Sequence, residues 1–328
     1  MAVSSGMAAI SLALFGTLGQ GDHVVASREC YCDTRTLLTE NFARFGVTAS
    51  FVDPADIRSW RDAVTPRTRL VLAETISNPG MELADLPALS AVAHDAGAVL
   101  LVDNTFATPA LCRPLEHGAD LVAHSAGKLL GGHHDVTSGV LLGTRRLLDP
   151  IRRVAYLTGP VLAPMEAWLT LRGIKTLAPR MAWVSQTAVA VARFLRGHPA
   201  VGVVRYPGDP DGARAALTRR LLPGGAGGLM TFDLTGGCGA ADDFFKGLRM
   251  IPYAATVGGT STIVSYPPRA VAGDAQRNGD LRTHRCATVR VSIGLEDPVD
   301  IVADLRRALD RAGVPAAAGR GAAGGAAS

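Results

Sequence analysis

The feature that most constrains the fold is a series of short apolar runs in the first half of the chain. The runs are Val24-Val25-Ala26, Ala49-Ser50-Phe51-Val52, Leu70-Val71-Leu72-Ala73, Val99-Leu100-Leu101-Val102 and Leu121-Val122-Ala123. Their near-continuous apolarity is typical of strands buried on both faces. Between the third and fourth runs, the spacing of Leu86, Leu89 and Val92 predicts a helix. This alternation predicts an α/β fold, a mostly parallel sheet covered by helices.

Polar residues follow the last three runs. In a parallel sheet, ligands bind at the carboxyl ends of the strands, so these side chains are expected to converge on one rim. They are Glu74, Ser77 and Asn78 after the third run, Asp103, Asn104 and Thr105 after the fourth, and His124, Ser125 and Lys128 after the fifth. Lys128 stands out because the 328 residues include only three lysines against thirty arginines.

The second half of the chain has a different pattern. Helical segments around Trp168, Leu171, Trp183 and Phe194 predict one long connecting helix. Two strand-like stretches follow, at 228–234 and 289–293, and then a helix that Asp297 would cap. The sequence therefore predicts a large domain at 1–185, a smaller α+β domain at 186–312 and a disordered Ala/Gly tail at 313–328.

Charge and composition give no support to several classes of partner. The formal charge is +4 and the basic residues form no run, so no nucleic-acid partner is predicted. No stretch of 18 apolar residues occurs, which predicts a cytoplasmic protein without membrane contact. The five cysteines form no paired CxxC sets and are interpreted as small thiols, while His133 and His134 lack a third ligand. No metal site is predicted.

Asp103 and Lys128 alone are consistent with a structural ion pair. However, Ser125 precedes Lys128 by three residues, and Ser4-Ser5-Gly6-Met7 opens an apolar helix. A helix that begins with small residues offers free backbone N–H groups to a phosphate. A phosphate site, a carboxylate and an amine in one cleft suggest a bound phosphorylated aldehyde.

Several motifs, in this order, resemble the Cys/Met-metabolism (trans-sulfuration) family of pyridoxal-phosphate enzymes. The family includes cystathionine γ-synthases, cystathionine γ-lyases, methionine γ-lyases and homoserine sulfhydrylases. The matching segments are 4–10, 21–25, 102–109, 124–128, 172–177, 206–208 and 289–297. The resemblance implies a fold of the aspartate-aminotransferase type (fold type I), pyridoxal 5′-phosphate as cofactor, and a homo-oligomer built as a dimer of dimers.

The resemblance also implies roles for individual residues. Lys128 would hold the cofactor covalently and move protons as a general acid and base. Asp103 would pair with the pyridinium nitrogen, and Tyr31 would stack on the ring and assist proton transfer. The remaining cofactor-binding residues would be Gly6, Met7, Asn78, Thr105 and Ser125. For the amino-acid substrate, Arg290 would bind the α-carboxylate and Thr256 would contact the side chain.

Three departures from the family pattern stand out. Gly127 replaces a threonine whose hydroxyl helps to hold the phosphate, and the stretch 256–260 replaces a serine-leucine-glycine motif. In relatives, several dozen residues precede the equivalent of Ser4 and reach the neighbouring subunit's cofactor. Either the start lies further upstream or this arm has been lost. A chain extended upstream is therefore expected to bind cofactor and assemble better.

The function expected from the resemblance is γ-elimination on a sulfur amino acid such as methionine or cystathionine. Two alternatives stay open. One is γ-replacement, as in cystathionine γ-synthase or an O-acylhomoserine sulfhydrylase. The other is a degenerate relative that kept the fold as a structural or binding protein. A serine acyl enzyme and a nicotinamide dehydrogenase are disfavoured, because the S-D-N, K-T-G and G-x-G-x-x-G motifs that they need are absent from the expected places.

Overall fold

The computed structural model describes residues 1–266 and 287–313, which form two sheets and their covering helices. The strands are β1 Ala2–Val3, β2 His23–Ser27, β3 Thr48–Val52, β4 Thr68–Glu74, β5 Val99–Asp103, β6 Leu121–Ser125, β7 Gly139–Gly143, β8 Val201–Arg205, β9 Leu229–Leu234, β10 Ile263–Ser265 and β11 Thr288–Ser292. The helices are α1 Gly6–Thr17, α2 Cys32–Thr36, α3 Ile57–Asp62, α4 Leu86–Asp95, α5 Thr108–Leu111, α6 Arg145–Thr158, α7 Pro164–Ile174, α8 Leu177–Arg196, α9 Ala215–Leu221, α10 Gly237–Gly247 and α11 Pro298–Ala312.

The larger sheet has seven strands in the order β1-β7-β6-β5-β4-β2-β3. The pairs from β6 through β5, β4 and β2 to β3 are parallel. Strand β7 pairs antiparallel with β6, and β1 pairs antiparallel with β7. The five strands predicted from apolar runs are all present, so the α/β class with a mostly parallel sheet is confirmed. Strands β1 and β7 were not predicted.

The smaller sheet is antiparallel, in the order β10-β11-β9-β8. Its strands β9 and β11 correspond to the two strand-like stretches of the sequence. Helix α11 begins after Asp297, whose side chain accepts a hydrogen bond from the Val299 amide at 2.8 Å. This α+β arrangement agrees with the expected smaller unit.

The predicted long connecting helix is wrong in its extent. Trp168 and Leu171 lie on α7, whereas Trp183 and Phe194 lie on α8. The two helices are separated at Lys175 and Thr176. Pro179 explains the break, because proline has no amide hydrogen and is tolerated only in the first turn of a helix. Since α8 begins at Leu177, Pro179 falls in its first turn.

Both faces of the large sheet are covered. Ile10 and Leu14 of α1 are buried on one face, and Leu86 and Leu89 of α4 are buried on the other. The parallel strands β4, β5 and β6 end at the same edge, and the amino end of α1 lies beside that edge because Gly6 contacts Ser125. Burial on both faces fixes the position of each strand, and so the position of the residues at its carboxyl end.

The domain boundary at 185 stays a prediction, and α8 runs across it. Residues 314–328 of the predicted tail lie outside the described residues, as does Cys286. Cys30, Cys32 and Cys112 are free thiols, but the interpretation of every cysteine as a thiol is wrong for Cys238, which is disulfide-bonded. In residues 1–266 and 287–313, no helix combines the length and apolarity needed to cross a bilayer.

Candidate active site

The carboxyl edge of the parallel strands opens into a cavity of about 290 Å³. Nine of the ten residues predicted from the sequence line it: Gly6, Met7, Tyr31, Asn78, Asp103, Thr105, Ser125, Lys128 and Thr256. The tenth, Arg290, lies behind Asn78. Thr256 comes from the loop after α10, so the cavity lies between the large sheet and the smaller α+β unit.

Not every polar residue of the predicted rim reaches this cavity. Ser77, Asn104 and His124 are buried but do not line it. Successive side chains of a strand point to opposite faces, so a neighbour of a cavity residue is directed elsewhere. Asn104, for example, accepts a hydrogen bond from the Thr75 hydroxyl at 2.7 Å and donates one to the Cys112 carbonyl at 2.9 Å. Asn104 thereby links the segments after β4 and β5 outside the cavity.

Asp103, Thr105 and Ser125 form one hydrogen-bonded unit, here called the cofactor floor. The Asp103 carboxylate accepts hydrogen bonds from the Thr105 amide at 2.9 Å and from its hydroxyl at 2.5 Å. The Thr105 hydroxyl in turn accepts one from the Ser125 amide at 2.8 Å. The carboxylate at the end of β5 is thereby fixed relative to the end of β6.

The amino end of α1 forms the adjacent wall. Ser5 caps the helix by accepting a hydrogen bond from the Ala8 amide at 3.0 Å. The amides of Gly6 and Met7 precede any possible intrahelical acceptor, so they are available to an anion. A side chain at Gly6 would collide with Ser125, because its Cβ would lie 2.6 Å from the Ser125 Cβ. Glycine is thus needed for the helix to approach Ser125 so closely.

Lys128 and Tyr31 face each other across the cavity. The Lys128 Nζ lies 5.2 Å from the centroid of the Tyr31 ring and 5.6 Å from that of the Phe106 ring. Burial and the nearby Asp33 carboxylate raise the pKa of Tyr31 to about 12. The phenol therefore holds its proton more tightly than an ordinary tyrosine does. Phe106 was not predicted, although it lies within the motif after β5.

Arg290 is a buried residue of β11, with 5% of its surface exposed. Its Nη1 donates to the Asn78 Oδ1 at 3.4 Å, and burial lowers the pKa of the guanidinium. Tyr31 is close enough to Arg290 for each to influence the other electrostatically. A guanidinium can bind a carboxylate with two parallel hydrogen bonds, and this one lies beside the cavity residue Asn78.

Glu74 is a cavity residue whose importance the sequence did not show. It ends β4 directly opposite Asp103 of β5, and its Oε1 accepts a hydrogen bond from the Tyr31 amide at 2.7 Å. Burial, together with the adjacent Asp103 charge, raises its pKa well above the usual range of a glutamate. Its position after the third apolar run was the only sequence signal, and the strand register supplies the rest.

The space beside Gly127 is closed by the backbone of the following segment. A Cβ at this position would lie 2.3 Å from the Val136 carbonyl oxygen and 3.2 Å from the Thr137 Cα. The glycine is therefore required by this backbone, and a threonine would need residues 136 and 137 to move. Both of these residues line the cavity.

The cavity suits pyridoxal 5′-phosphate, which combines an anionic phosphate, a basic ring nitrogen and an aldehyde. The helix amino end beside Ser125 suits the phosphate, the Asp103 carboxylate suits a protonated ring nitrogen, and the Lys128 amine suits the aldehyde. The close approach of Gly6 to Ser125 brings the amides and the hydroxyl to one place. The residues present thus fit the group.

Comparisons with known proteins identify the family. The sequence profile of the Cys/Met metabolism PLP-dependent enzyme family matches residues 1–310. The chain is 39% identical to an L-methionine gamma-lyase of Pseudomonas deceptionensis, over 94% of the chain and 78% of the relative. It is 40% identical to a cystathionine gamma-synthase of Mycobacterium bovis, over 94% and 79%.

A solved structure, the crystal structure of metB from Corynebacterium glutamicum, is similar in fold with a TM-score of 0.88. The two chains are 33% identical, and the similarity covers 94% of this chain and 80% of that one. Similarity of this extent shows that the chain has the fold type I architecture and is a pyridoxal-phosphate-dependent enzyme. The chain belongs to the Cys/Met metabolism family of pyridoxal-phosphate-dependent enzymes.

Proposed function

We propose that the protein catalyses γ-elimination on a sulfur amino acid such as methionine or cystathionine. The observation that carries this proposal is the single cavity in which Lys128, Asp103 and Tyr31 meet, with Arg290 behind Asn78 at its edge. An amine, a carboxylate, a phenol and a guanidinium are the groups that this chemistry needs. Sequence similarity to a methionine gamma-lyase supports the choice of elimination.

Each side chain has a defined task in the proposal. When bound, pyridoxal phosphate supplies an electron sink for charge that develops at the substrate's α-carbon. Lys128 holds the cofactor at rest and, once released, moves protons to and from the substrate carbons. Asp103 keeps the ring nitrogen protonated by placing a negative charge beside it.

Three further residues handle the substrate. Arg290 binds the α-carboxylate, and its planar fork fixes the direction of the amino acid. The Tyr31 phenol assists proton transfer near Lys128; burial and Asp33 raise its pKa to about 12, so it holds its proton more tightly than an ordinary tyrosine does. Thr256 lines the part of the cavity that faces the smaller unit and contacts the substrate side chain in the proposal.

The second candidate is γ-replacement, in which a nucleophile adds where elimination would release a ketoacid. The chain is 40% identical to a cystathionine gamma-synthase, which favours replacement. It is 39% identical to a methionine gamma-lyase, which favours elimination to a similar degree. The two reactions share their early proton transfers, so Lys128, Asp103 and Tyr31 serve both. They differ in access of water and nucleophile, which depends on the loop that carries Thr256.

We also propose that a second copy of this chain covers the outer surface of α6 and α7. Six large apolar side chains there are each more than half exposed: Tyr156, Leu157, Val161, Met165, Trp168 and Leu171. Exposed apolar surface of this extent is typical of an association site. A neighbouring cavity of about 550 Å³ includes Val161 and shares Val136 and Thr137 with the first, so a bound copy would border the active cavity. Assembly as a dimer of dimers, and the cytoplasmic location, remain predictions.

The experiment that tests the function measures ketoacid release by the reconstituted protein. Methionine, cystathionine and an acylated homoserine are supplied separately, the last with and without cysteine. Release of 2-oxobutanoate from methionine or cystathionine is the expected result. Cystathionine formed from the acylated homoserine and cysteine, without ketoacid, would favour replacement instead. Normal cofactor binding without product from any substrate would contradict both and favour a non-catalytic relative.

A further inference from the structure

Arg180 is a buried cation that the proposed chemistry does not use. It lies on α8 with 7% of its surface exposed. Its Nη1 donates to the Leu129 carbonyl at 2.8 Å, and its Nη2 donates to the carbonyls of Leu130 at 3.3 Å and Gly173 at 2.9 Å. Its Nε donates to the Thr176 hydroxyl at 3.0 Å. One side chain therefore joins two backbone segments that are far apart in sequence.

Hydrogen bonds to carbonyl oxygens stabilise the positive charge of this arginine. Across residues 1–266 and 287–313, no carboxylate lies within ion-pair distance of Arg180. Burial lowers the pKa of its guanidinium, as expected of a cation withdrawn from water. Burying a charge is unfavourable unless it is hydrogen-bonded, and the planar fork of arginine supplies enough donors for three carbonyls and a hydroxyl. This arrangement is specific to arginine.

The carbonyls of Leu129 and Leu130 belong to the lysine turn, defined here as residues 126–132. Within it, the amide of Gly131 donates to the Ala126 carbonyl and the amide of Gly132 donates to the Lys128 carbonyl, both at 2.7 Å. As in a helix, the last carbonyls of such a turn lack partners within it. Arg180 supplies those partners.

The other end of the contact is the junction of α7 and α8. Gly173 packs directly on the lysine turn, because a Cβ there would lie 2.0 Å from the Gly131 carbonyl oxygen. Gly132 leaves room for the guanidinium, since its Cβ would lie 2.2 Å from the Arg180 Nη1. Two glycines thus allow the turn, the junction and the guanidinium to come together.

We propose that Arg180 is a positioning residue for Lys128. It holds the lysine turn against the junction of α7 and α8, and so fixes the place from which the Lys128 amine reaches the cofactor. This proposal rests on the proposed role of Lys128. It predicts that loosening the guanidinium weakens the attachment of cofactor to Lys128 more than it weakens the fold.

The test compares Arg180→Lys, Arg180→Gln and Thr176→Val with the unaltered protein. Thr176 is exposed, and its replacement removes one acceptor from the guanidinium while leaving the arginine in place. Each protein is titrated with pyridoxal phosphate, reduced with borohydride, and digested, and the fraction of Lys128 that carries the label is measured by mass spectrometry. Melting temperatures of the cofactor-free proteins are recorded alongside.

Arg214 provides the matched control. It also donates to backbone carbonyls, those of Leu83 and Ala55, and pairs with Glu82 at 3.3 Å. None of these partners belongs to the lysine turn or to the junction of α7 and α8. Arg214→Lys and Arg214→Gln are expected to lower the melting temperature without changing the labelling of Lys128. A structural role alone would make the two arginines behave alike.

For Arg180→Lys we expect the dissociation constant for pyridoxal phosphate to rise about tenfold or more, the size expected for losing a charge-assisted hydrogen bond. Thr176→Val should give a smaller rise, and Arg180→Gln a larger one if it folds. Unchanged labelling in both Arg180→Lys and Thr176→Val would overturn this proposal alone. Absence of label from Lys128 in the unaltered protein would overturn the proposed function, and this inference with it.

Discussion

The cofactor floor and the substrate-binding residues are built in different ways. The floor consists of Asp103 and Ser125, which end buried parallel strands, and Thr105, which follows one of them; hydrogen bonds of 2.5 to 2.9 Å join the three. The second group, here called the substrate side, consists of Tyr31 and Thr256, which line the cavity, and Arg290, which hydrogen-bonds the cavity residue Asn78. These come from a helix cap, a loop and a strand of the other sheet, and the Arg290 contact with Asn78 is 3.4 Å long.

This difference makes the cofactor site more constrained than the substrate site. Strands buried on both faces can shift little, so the groups that end them keep a fixed geometry. Loops and helix caps tolerate substitution, and specificity therefore changes there without disturbing the floor. Four variants test whether the two sides are as independent as this comparison implies.

The largest effect is expected for Asp103→Asn on the floor. Asparagine keeps an oxygen that accepts from Thr105, so the fold should persist while the charge is lost. Removing an opposite charge shifts a neighbouring pKa by about 1 to 3 units, which would lower the ratio of protonated to unprotonated ring nitrogen by about 10- to 1000-fold. Turnover of the reconstituted protein should fall accordingly.

Asp120→Asn is the control for that variant, because Asp120 also caps a strand of this sheet, accepting from the Leu100 amide at 2.8 Å at the far edge. It should lower stability but leave the turnover of folded protein unchanged. Equal losses of turnover in both variants would show that the charge at Asp103 has no special role.

Arg290→Lys should separate the substrate side from the floor. A lysine keeps the charge but not the bidentate geometry, and a hydrogen bond to a charged group contributes about 1.5 to 3 kcal/mol. We expect kcat/KM to fall by about 10- to 150-fold, mainly through KM, with unchanged affinity for pyridoxal phosphate. Arg113→Lys, at an exposed ion pair, is the control. A loss of cofactor affinity in Arg290→Lys would break the proposed independence.

Gly127→Thr tests how tightly the floor is packed. The threonine would restore the residue expected from the family resemblance, but its Cβ would meet the Val136 carbonyl oxygen at 2.3 Å. Overpacking of this kind costs about 1 to 3 kcal/mol, so we expect lower thermal stability and no gain in cofactor affinity. Gly239→Ala is the control, because nothing lies within 4 Å of its Cβ position. Tighter cofactor binding in Gly127→Thr would contradict the account.

The smallest effect is expected for Glu74→Gln, which lies between the two sides. Because folding raises the pKa of Glu74, the folded chain holds this proton more tightly than the unfolded chain does. Stability of the cofactor-free protein should therefore fall as pH rises above about 4.3, the usual glutamate value, toward the raised folded value.

Glutamine removes this proton while keeping an acceptor for the Tyr31 amide. The slope of unfolding free energy against pH should lessen, by at most about 1.4 kcal/mol per pH unit. Denaturant titrations at several pH values measure it, with exposed Glu116→Gln as the control. Identical slopes for Glu74→Gln and the unaltered protein would show that Glu74 does not hold its proton in the folded chain.

The floor could be predicted from sequence because its signals are local. Each apolar run predicts where a buried strand ends, and Asp103, Thr105 and Ser125 follow those ends directly. Parallel pairing then brings them to one edge whatever the detailed register. The same reasoning found Lys128, since a rare lysine after a strand is visible in the sequence alone.

The features that the sequence did not predict depend on contacts between segments that are far apart along the chain. Glu74 matters because the register sets it opposite Asp103, and Arg180 because two distant backbone segments meet at its guanidinium. The sequence did not predict strand β7 because its apolar run is only three residues long and has a glycine at each end, Gly139 and Gly143. Glycine within a strand weakens the sequence signal for that strand. Pro179 indicated the break before α8, but the helical spacing of apolar residues on both sides of it led to the prediction of one continuous helix.

The most direct test of the central claim uses the scarcity of lysine. The chain contains Lys128, Lys175 and Lys246 and no other lysine, so a covalent adduct has few possible sites. The protein is reconstituted with pyridoxal phosphate and reduced with borohydride, and the labelled peptide is identified by mass. The account predicts one label, on Lys128, and its loss in Lys128→Ala. Label on Lys175 or Lys246 with none on Lys128 would contradict it.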